Sequence, residues 1–198
     1  MIAIADYGMG NRRSVEKALE HVGARSMITA DHDEVRAADA VILPGVGAFP
    51  EAMRNLRATG LDEVLRERAA AGAPLLGICL GMQLLFESSS EHEGADGLGI
   101  LPGAVTRLEA PKLPHIGWNL VTLERGSQLT SGLGEATAFY HVHSFVCRPA
   151  DEQDVVGRGE YGERFASIVE RGNVKGAQFH PEKSSRDGLR LLRNFAQA

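Results

Sequence analysis

Two stretches of the 198-residue chain carry side chains that can make and break covalent bonds together. The first is Gly77-Ile78-Cys79-Leu80-Gly81. A glycine two places either side of a nucleophile is the nucleophile-elbow pattern, here with cysteine in place of serine. A sharp strand-to-helix turn strains the nucleophile's backbone and crowds its neighbours, so side chains are excluded at the flanks. The turn also sets the sulfur near a helix N-terminus, where free N–H groups and the dipole favour a thiolate. The second stretch is His180-Pro181-Glu182. An imidazole can take the thiol proton and later give it to a leaving amine. A carboxylate can hold the imidazole's tautomer and stabilise the imidazolium. Two residues apart on an extended segment, His180 and Glu182 are expected to point to one side. The N–H of Leu80, with one from the Val46 and Gly47 turn, would hold an oxyanion. The implied chemistry is acyl transfer through a thioester. The bland alternatives are a small core cysteine and a solvated histidine at a strand end.

The elements that must position these groups follow from periodicity. Ile2-Ala3-Ile4-Ala5, Ser26-Met27-Ile28-Thr29, Ala40-Val41-Ile42-Leu43 and Ala73-Pro74-Leu75-Leu76 are predicted strands. Between them lie helical patterns. One starts at about Ser14 with Val15, Ala18, Leu19 and Val22 on one face, and stops at Gly23. Two more run over Phe49 to Arg57 and Leu61 to Ala71, parted at Gly60, and another over Met82 to Glu87 after the elbow. Ser88 to Gly97 is polar and predicted as loop. Alternating strands and helices predict a parallel sheet with right-handed crossovers.

From Gly99 the pattern changes. Ala104–Leu108, Asn119–Leu123, Ala138–Val142 and Ala166–Val169 read as strands with little helix between, hence an antiparallel section. A last strand over Val174 to Phe179 ends at Pro181, which cannot donate a ladder hydrogen bond, and a closing helix follows from about Ser184. The expected fold class is α/β, a mostly parallel central sheet with flanking helices and an antiparallel strand section in the second half, all in one domain over residues 1–198. Pro44-Gly45-Val46-Gly47 sits at a strand's C-terminal end, where open parallel sheets bind ligands and glycines let N–H groups approach an anion.

Composition excludes several classes. A net charge of −5 and the lack of a basic run interleaved with aromatics argue against a nucleic-acid surface. Two cysteines are too few for a disulfide framework, so a reducing, cytoplasmic compartment is expected. The opening Met1–Asp6 lacks a basic n-region, and no apolar run approaches the roughly 20 residues of a membrane span. Gly8 and Gly10 lack the third glycine of a dinucleotide fingerprint, since Arg13 stands in its place, so no nucleotide cofactor is expected. His141 and His143 share a strand face, but no nearby Cys, Asp or second His pair completes a ligand set, and no metal is expected.

Cys79, His180-Pro181-Glu182 and Pro44-Gly45-Val46-Gly47 together resemble the class I (triad-type) glutamine amidotransferases, whose fold is flavodoxin-like. Asp6-Tyr7-Gly8-Met9-Gly10-Asn11, Arg13-Ser14-Val15, Pro114-His115-Ile116-Gly117-Trp118-Asn119, His143-Ser144 and His180–Ser184 are similar to the glutaminase subunits of imidazole glycerol phosphate synthase, nearly end to end. Arg12 and Ile116 depart from that pattern without touching the chemistry. The resemblance implies that Cys79, His180 and Glu182 hydrolyse glutamine to glutamate and ammonia. It implies that Gly47, Gln83, Ser144 and Phe145 hold the glutamine, and that no cofactor is needed. It further implies a (β/α)₈-barrel synthase (cyclase) subunit as heterodimer partner, receiving ammonia through a channel in histidine biosynthesis. Asn11, Trp118, Tyr140 and Lys183 match the face toward that subunit. Read without the resemblance, Trp118 fits a core position as well as an interface. Two competing readings remain: a glutaminase subunit of another system, such as pyridoxal phosphate synthesis, and a cysteine peptidase or redox sensor on the same fold.

Overall fold

The computed structural model describes residues 1–197. Its first half alternates strand and helix as the periodicity predicts: β1 (Ile2–Ala5), α1 (Arg12–His21), β2 (Ser26–Thr29), α2 (His32–Ala37), β3 (Ala40–Gly45), α3 (Phe49–Thr59), α4 (Leu61–Ala70), β4 (Leu75–Cys79) and α5 (Leu80–Leu84). The second half is strand-rich: β5 (Phe86–Ser89), β6 (Ala95–Asp96), β7 (Leu101–Arg107), β8 (His115–Leu123), β9 (Ala136–His143), β10 (Phe145–Pro149), β11 (Val155–Tyr161), β12 (Glu163–Arg171) and β13 (Val174–Ala177), with α6 (Ser185–Ala196) last.

These strands form one 13-stranded sheet. The run β2-β1-β3-β4-β13 is parallel at every step. From β13 outward the pairing turns antiparallel through β12, β10 and β7, and β11, β8 and β9 branch from β12 as an antiparallel ribbon. The two faces of the parallel run are both buried, as helical crossovers require. In β1, Ala3 and Ala5 face a core built with Phe49, Met53, Leu56 and Leu61, while Ile2 and Ile4 face one built with Leu19, Leu191, Leu192 and Phe195. The period-2 alternation of the strand therefore feeds one layer of helices on each side.

Several boundaries differ from the sequence expectation, each for a local reason. Helix α1 starts at Arg12 rather than Ser14. The helix expected to run to Glu87 ends at Leu84, and the polar stretch after it is not loop throughout, because Phe86–Ser89 pairs with β7 and with β6. Helix α2 went unpredicted although its start is signalled: the Asp31 carboxylate accepts from the N–H groups of Asp33 and Glu34. Strands β10 and β11 were also missed. Gly157 and Gly159 make β11 look like a loop, yet Gly159 is where the Phe165 ring lies across the neighbouring strand, and a Cβ there would sit 2.6 Å from Phe165 Cζ.

Candidate active site

Strand β4 delivers Cys79 at its C-terminal end, and α5 begins at the next residue. Cys79 has φ 55° and ψ −114°, a region that side-chain-bearing residues rarely occupy. The flanking glycines are required by close approach. A Cβ on Gly77 would lie 2.6 Å from Met82 Cα, and one on Gly81 would drive into the Leu43 carbonyl of the adjacent β3. Helix α5 is thus pressed closely onto its own strand β4 and onto the neighbouring β3. Cys79 is the N-cap of α5, as expected, but the helix is only 5 residues long, so its macrodipole is small.

His180 follows β13, which pairs directly beside β4, so topology alone brings it to the same sheet end as Cys79. Its Nδ1 lies 2.9 Å from Glu182 Oε1, and both side chains are almost wholly buried. The expected reason for this contact was wrong. Pro181–Lys183 is a 3₁₀ turn, not extended chain, and the turn rather than strand alternation folds the carboxylate back to the imidazole. Burial works against a charged His180, but contacts with Cys79 and Glu182 outweigh it and raise its pKa from 6.5 to about 10.

Cys79 and His180 line one cavity of about 290 Å³ with Val46, Gly47, Leu80, Gln83, Ser144, Phe145 and Lys183. Every residue expected to make the oxyanion or glutamine contacts therefore borders the same space. Gln83 is buried, and its Nε2 donates to Phe145 O at 3.0 Å and to Gln178 Oε1 at 3.2 Å. The four residues expected to face a partner lie around the cavity's side of the molecule in different ways. Lys183 lines the cavity itself, and Asn11 donates from Nδ2 to Glu182 Oε1 at 3.3 Å. Trp118 stands 56% exposed, edge-on to Tyr140 with centroids 6.1 Å apart, which removes the core reading for the tryptophan. Ile116 and Leu120, two residues either side on β8, are exposed at 59% and 61%, so one strand face presents an apolar stripe.

Sequence reasoning missed some members of the site. Gln178 Nε2 comes within 4.0 Å of Cys79 Sγ, and the thiol lies 3.8 Å from Val142 O. The signal for Gln178 was its place two residues before His180. Tyr7 is fully buried, and its hydroxyl donates to Pro44 O at 2.8 Å, pinning the start of the Gly45-Val46-Gly47 turn. Burial, and then the nearby Cys79, push the Tyr7 phenol pKa up, so it stays a neutral donor. His115 of β8 stands beside His141 and His143, a third histidine that sequence reasoning did not place with them.

Comparison with known proteins agrees with this geometry. The family described as "Glutamine amidotransferase class-I" matches residues 3–198. The chain is 53% identical over 197 residues to "Imidazole glycerol phosphate synthase subunit HisH" of Moorella thermoacetica, covering 99% of this chain and 94% of that one. It is 52% identical to the protein of the same name from Bacillus cereus (strain G9842), covering 98% and 93%. Among solved structures, one titled "Crystal structure of glutamine amidotransferase" superposes with a TM-score of 0.80 at 22% identity, covering all of both chains. "Structure of PurLQS from Thermotoga maritima" superposes at 0.79 and 20% identity, covering 99% and 97%. Those two likenesses show the fold, and the sequence matches show the family: the chain belongs to the class-I glutamine amidotransferases.

Proposed function

We propose that this chain is the glutaminase subunit of an imidazole glycerol phosphate synthase, with Cys79 as nucleophile, His180 as general acid–base and Glu182 as its orienter. The observation that carries the chemistry is the strained Cys79 elbow sharing one cavity with a His180 whose Nδ1 is held 2.9 Å from Glu182. With Nδ1 engaged by the carboxylate, the imidazole's Nε2 already holds the proton taken from Cys79, as its raised pKa requires near neutral pH, and Sγ attacks the side-chain amide carbon of glutamine. The tetrahedral oxyanion is met by the N–H groups of Leu80 and of Val46 or Gly47. Collapse breaks the C–N bond, His180 returns the proton to nitrogen, and ammonia leaves. Water, deprotonated by the same imidazole, then cleaves the thioester to glutamate.

A cavity of about 290 Å³ suits one amino acid better than the extended chain a peptidase must hold. Gly47, Gln83, Ser144 and Phe145 would bind the glutamine. The names of the relatives support membership of an imidazole glycerol phosphate synthase, and the family resemblance makes a barrel cyclase subunit in histidine biosynthesis the destination of the ammonia. The Ile116–Trp118–Leu120 stripe supports a docking face beside the site.

The test is glutamine hydrolysis by the purified chain, alone and with a (β/α)₈-barrel synthase subunit and its nucleotide ligand. Hydrolysis that rises with the liganded partner and vanishes in Cys79→Ala is expected. Activity that survives in Cys79→Ala overturns the chemistry, and indifference to the synthase overturns the partner.

A further inference from the structure

We propose that His115, His141 and His143 form a binding site for one borderline transition-metal ion, zinc above all, set in the sheet beside the glutamine cavity. Strands β8 and β9 pair antiparallel with His115 directly opposite His143. His141 lies two residues before His143 and so shares its face. The three rings converge, with centroids 5.1, 5.1 and 5.3 Å apart, and one nitrogen from each falls within 4.8 Å of the other two. Phe165 packs against all three rings, so the cluster sits in an apolar box.

Ligand geometry is already half built. Zinc bonded tetrahedrally at about 2.0–2.1 Å holds its nitrogens about 3.3 Å apart. His115 Nδ1 and His143 Nε2 are 3.3 Å apart. Bringing in the third nitrogen needs a closure of up to about 1.5 Å relative to that spacing.

A second observation points to a missing occupant. His141 Nδ1 is buried and has no hydrogen-bond partner among the described residues, while its Nε2 faces Ser167 Oγ at 3.2 Å. A buried polar nitrogen left unpaired is costly. A metal at Nδ1 would satisfy it and leave Nε2–H to donate to Ser167, the way ligating histidines are normally braced. His143 is braced likewise: its Nδ1 faces Phe145 O at 3.1 Å, so the proton sits there and Nε2 keeps its lone pair. For His115 to bind through Nδ1, its proton must move to Nε2, and the Asn119 amide 3.2 Å away must turn its oxygen to accept it, giving up the bond its Nδ2 donates to Glu160 O at 2.9 Å.

Three nitrogens and no carboxylate select zinc, cobalt, nickel or copper over magnesium or calcium. His143 also lines the glutamine cavity, which gives an ion a route in. The rival account is a neutral hydrogen-bonded trio that serves only as core.

The two accounts separate on titrating the chelator-treated full chain with cobalt(II), a spectroscopic substitute for zinc. One equivalent bound with tetrahedral-type visible bands, displaced by zinc, is expected. His141→Phe, a ring for a ring, should weaken cobalt binding by at least about 100-fold. Cys79→Ala should leave it unchanged, since the ion is not on the thiol. X-ray absorption of the zinc-loaded wild type, independent of any variant's folding, should show nitrogen neighbours and no sulfur. Sub-stoichiometric binding, binding that survives His141→Phe, binding lost in Cys79→Ala or a sulfur neighbour would each overturn the proposal.

Discussion

Asn11 Nδ2 donates to the same Glu182 oxygen that faces His180 Nδ1, at 3.3 Å and 2.9 Å respectively, while the other Glu182 oxygen is buried without a partner among the described residues. One oxygen therefore carries both known restraints on the carboxylate, and one of them comes from the loop before α1. Asn11→Ala should lower kcat for glutamine about tenfold with little change in KM, because hydrogen bonds to charged groups are worth about 1.5–3 kcal/mol. Asn11→Asp should be worse, since a second carboxylate favours protonation of Glu182. The check is the pH profile of kcat in both variants: a fall that leaves the profile unmoved would mean the loop acts only through packing.

Glu182→Gln should damage hydrolysis less than His180→Ala. Glutamine keeps a hydrogen-bonding oxygen near Nδ1 but loses the charge that supports the imidazolium, whereas alanine removes the base itself. Measured kcat under partner-saturated conditions decides it; equal loss in the two would give the carboxylate a part beyond orientation.

The raised His180 pKa of about 10 has a consequence for alkaline stability. The folded state holds this proton more tightly than the unfolded chain, whose histidine titrates near 6.5. The stabilisation is complete below about pH 6.5 and is lost as pH rises through 10, with a slope of up to about 1.4 kcal/mol per pH unit between. Urea unfolding of wild type and His180→Gln at pH 7 and pH 9 should show the wild type losing more over that interval.

Trp118→Ala should leave the melting temperature nearly unchanged, because the indole is more than half exposed. It should weaken association with the barrel synthase by about 2 kcal/mol if the indole is an interface anchor. Calorimetric titration of the two subunits measures this directly.

Gly81→Ala should be far more damaging to the fold than its size suggests, costing more than about 4 kcal/mol, because the added methyl meets the Leu43 carbonyl rather than a movable side chain. Denaturant unfolding checks it, and a loss under about 1 kcal/mol would mean that the elbow yields.

The parallel half was legible because it obeys simple periods. β1 alternates cleanly between two cores, and α3 ends at Gly60, whose φ of 71° suits glycine. The elbow was legible because close packing leaves a glycine signature in sequence. What stayed hidden depended on residues distant in the chain. β11 looks like loop until Phe165 fills the space over Gly159, and His115 joins His141 and His143 only through a strand register that no local pattern encodes. Asn11 matched an interface position, yet its bond to Glu182 spans 171 residues.

β13 bears on how the molecule is made. This strand lies between β4 and β12 in the finished sheet, yet it is the last strand to be synthesised among the described residues. Until it leaves the ribosome, β4 has an open edge and His180 does not yet exist in the chain. A half-made molecule therefore has the proposed nucleophile but not the proposed base. The same ordering exposes the buried, apolar edge of β4 during synthesis, the condition under which growing chains pair wrongly. The late strand thus ties the start of chemistry to the completion of folding.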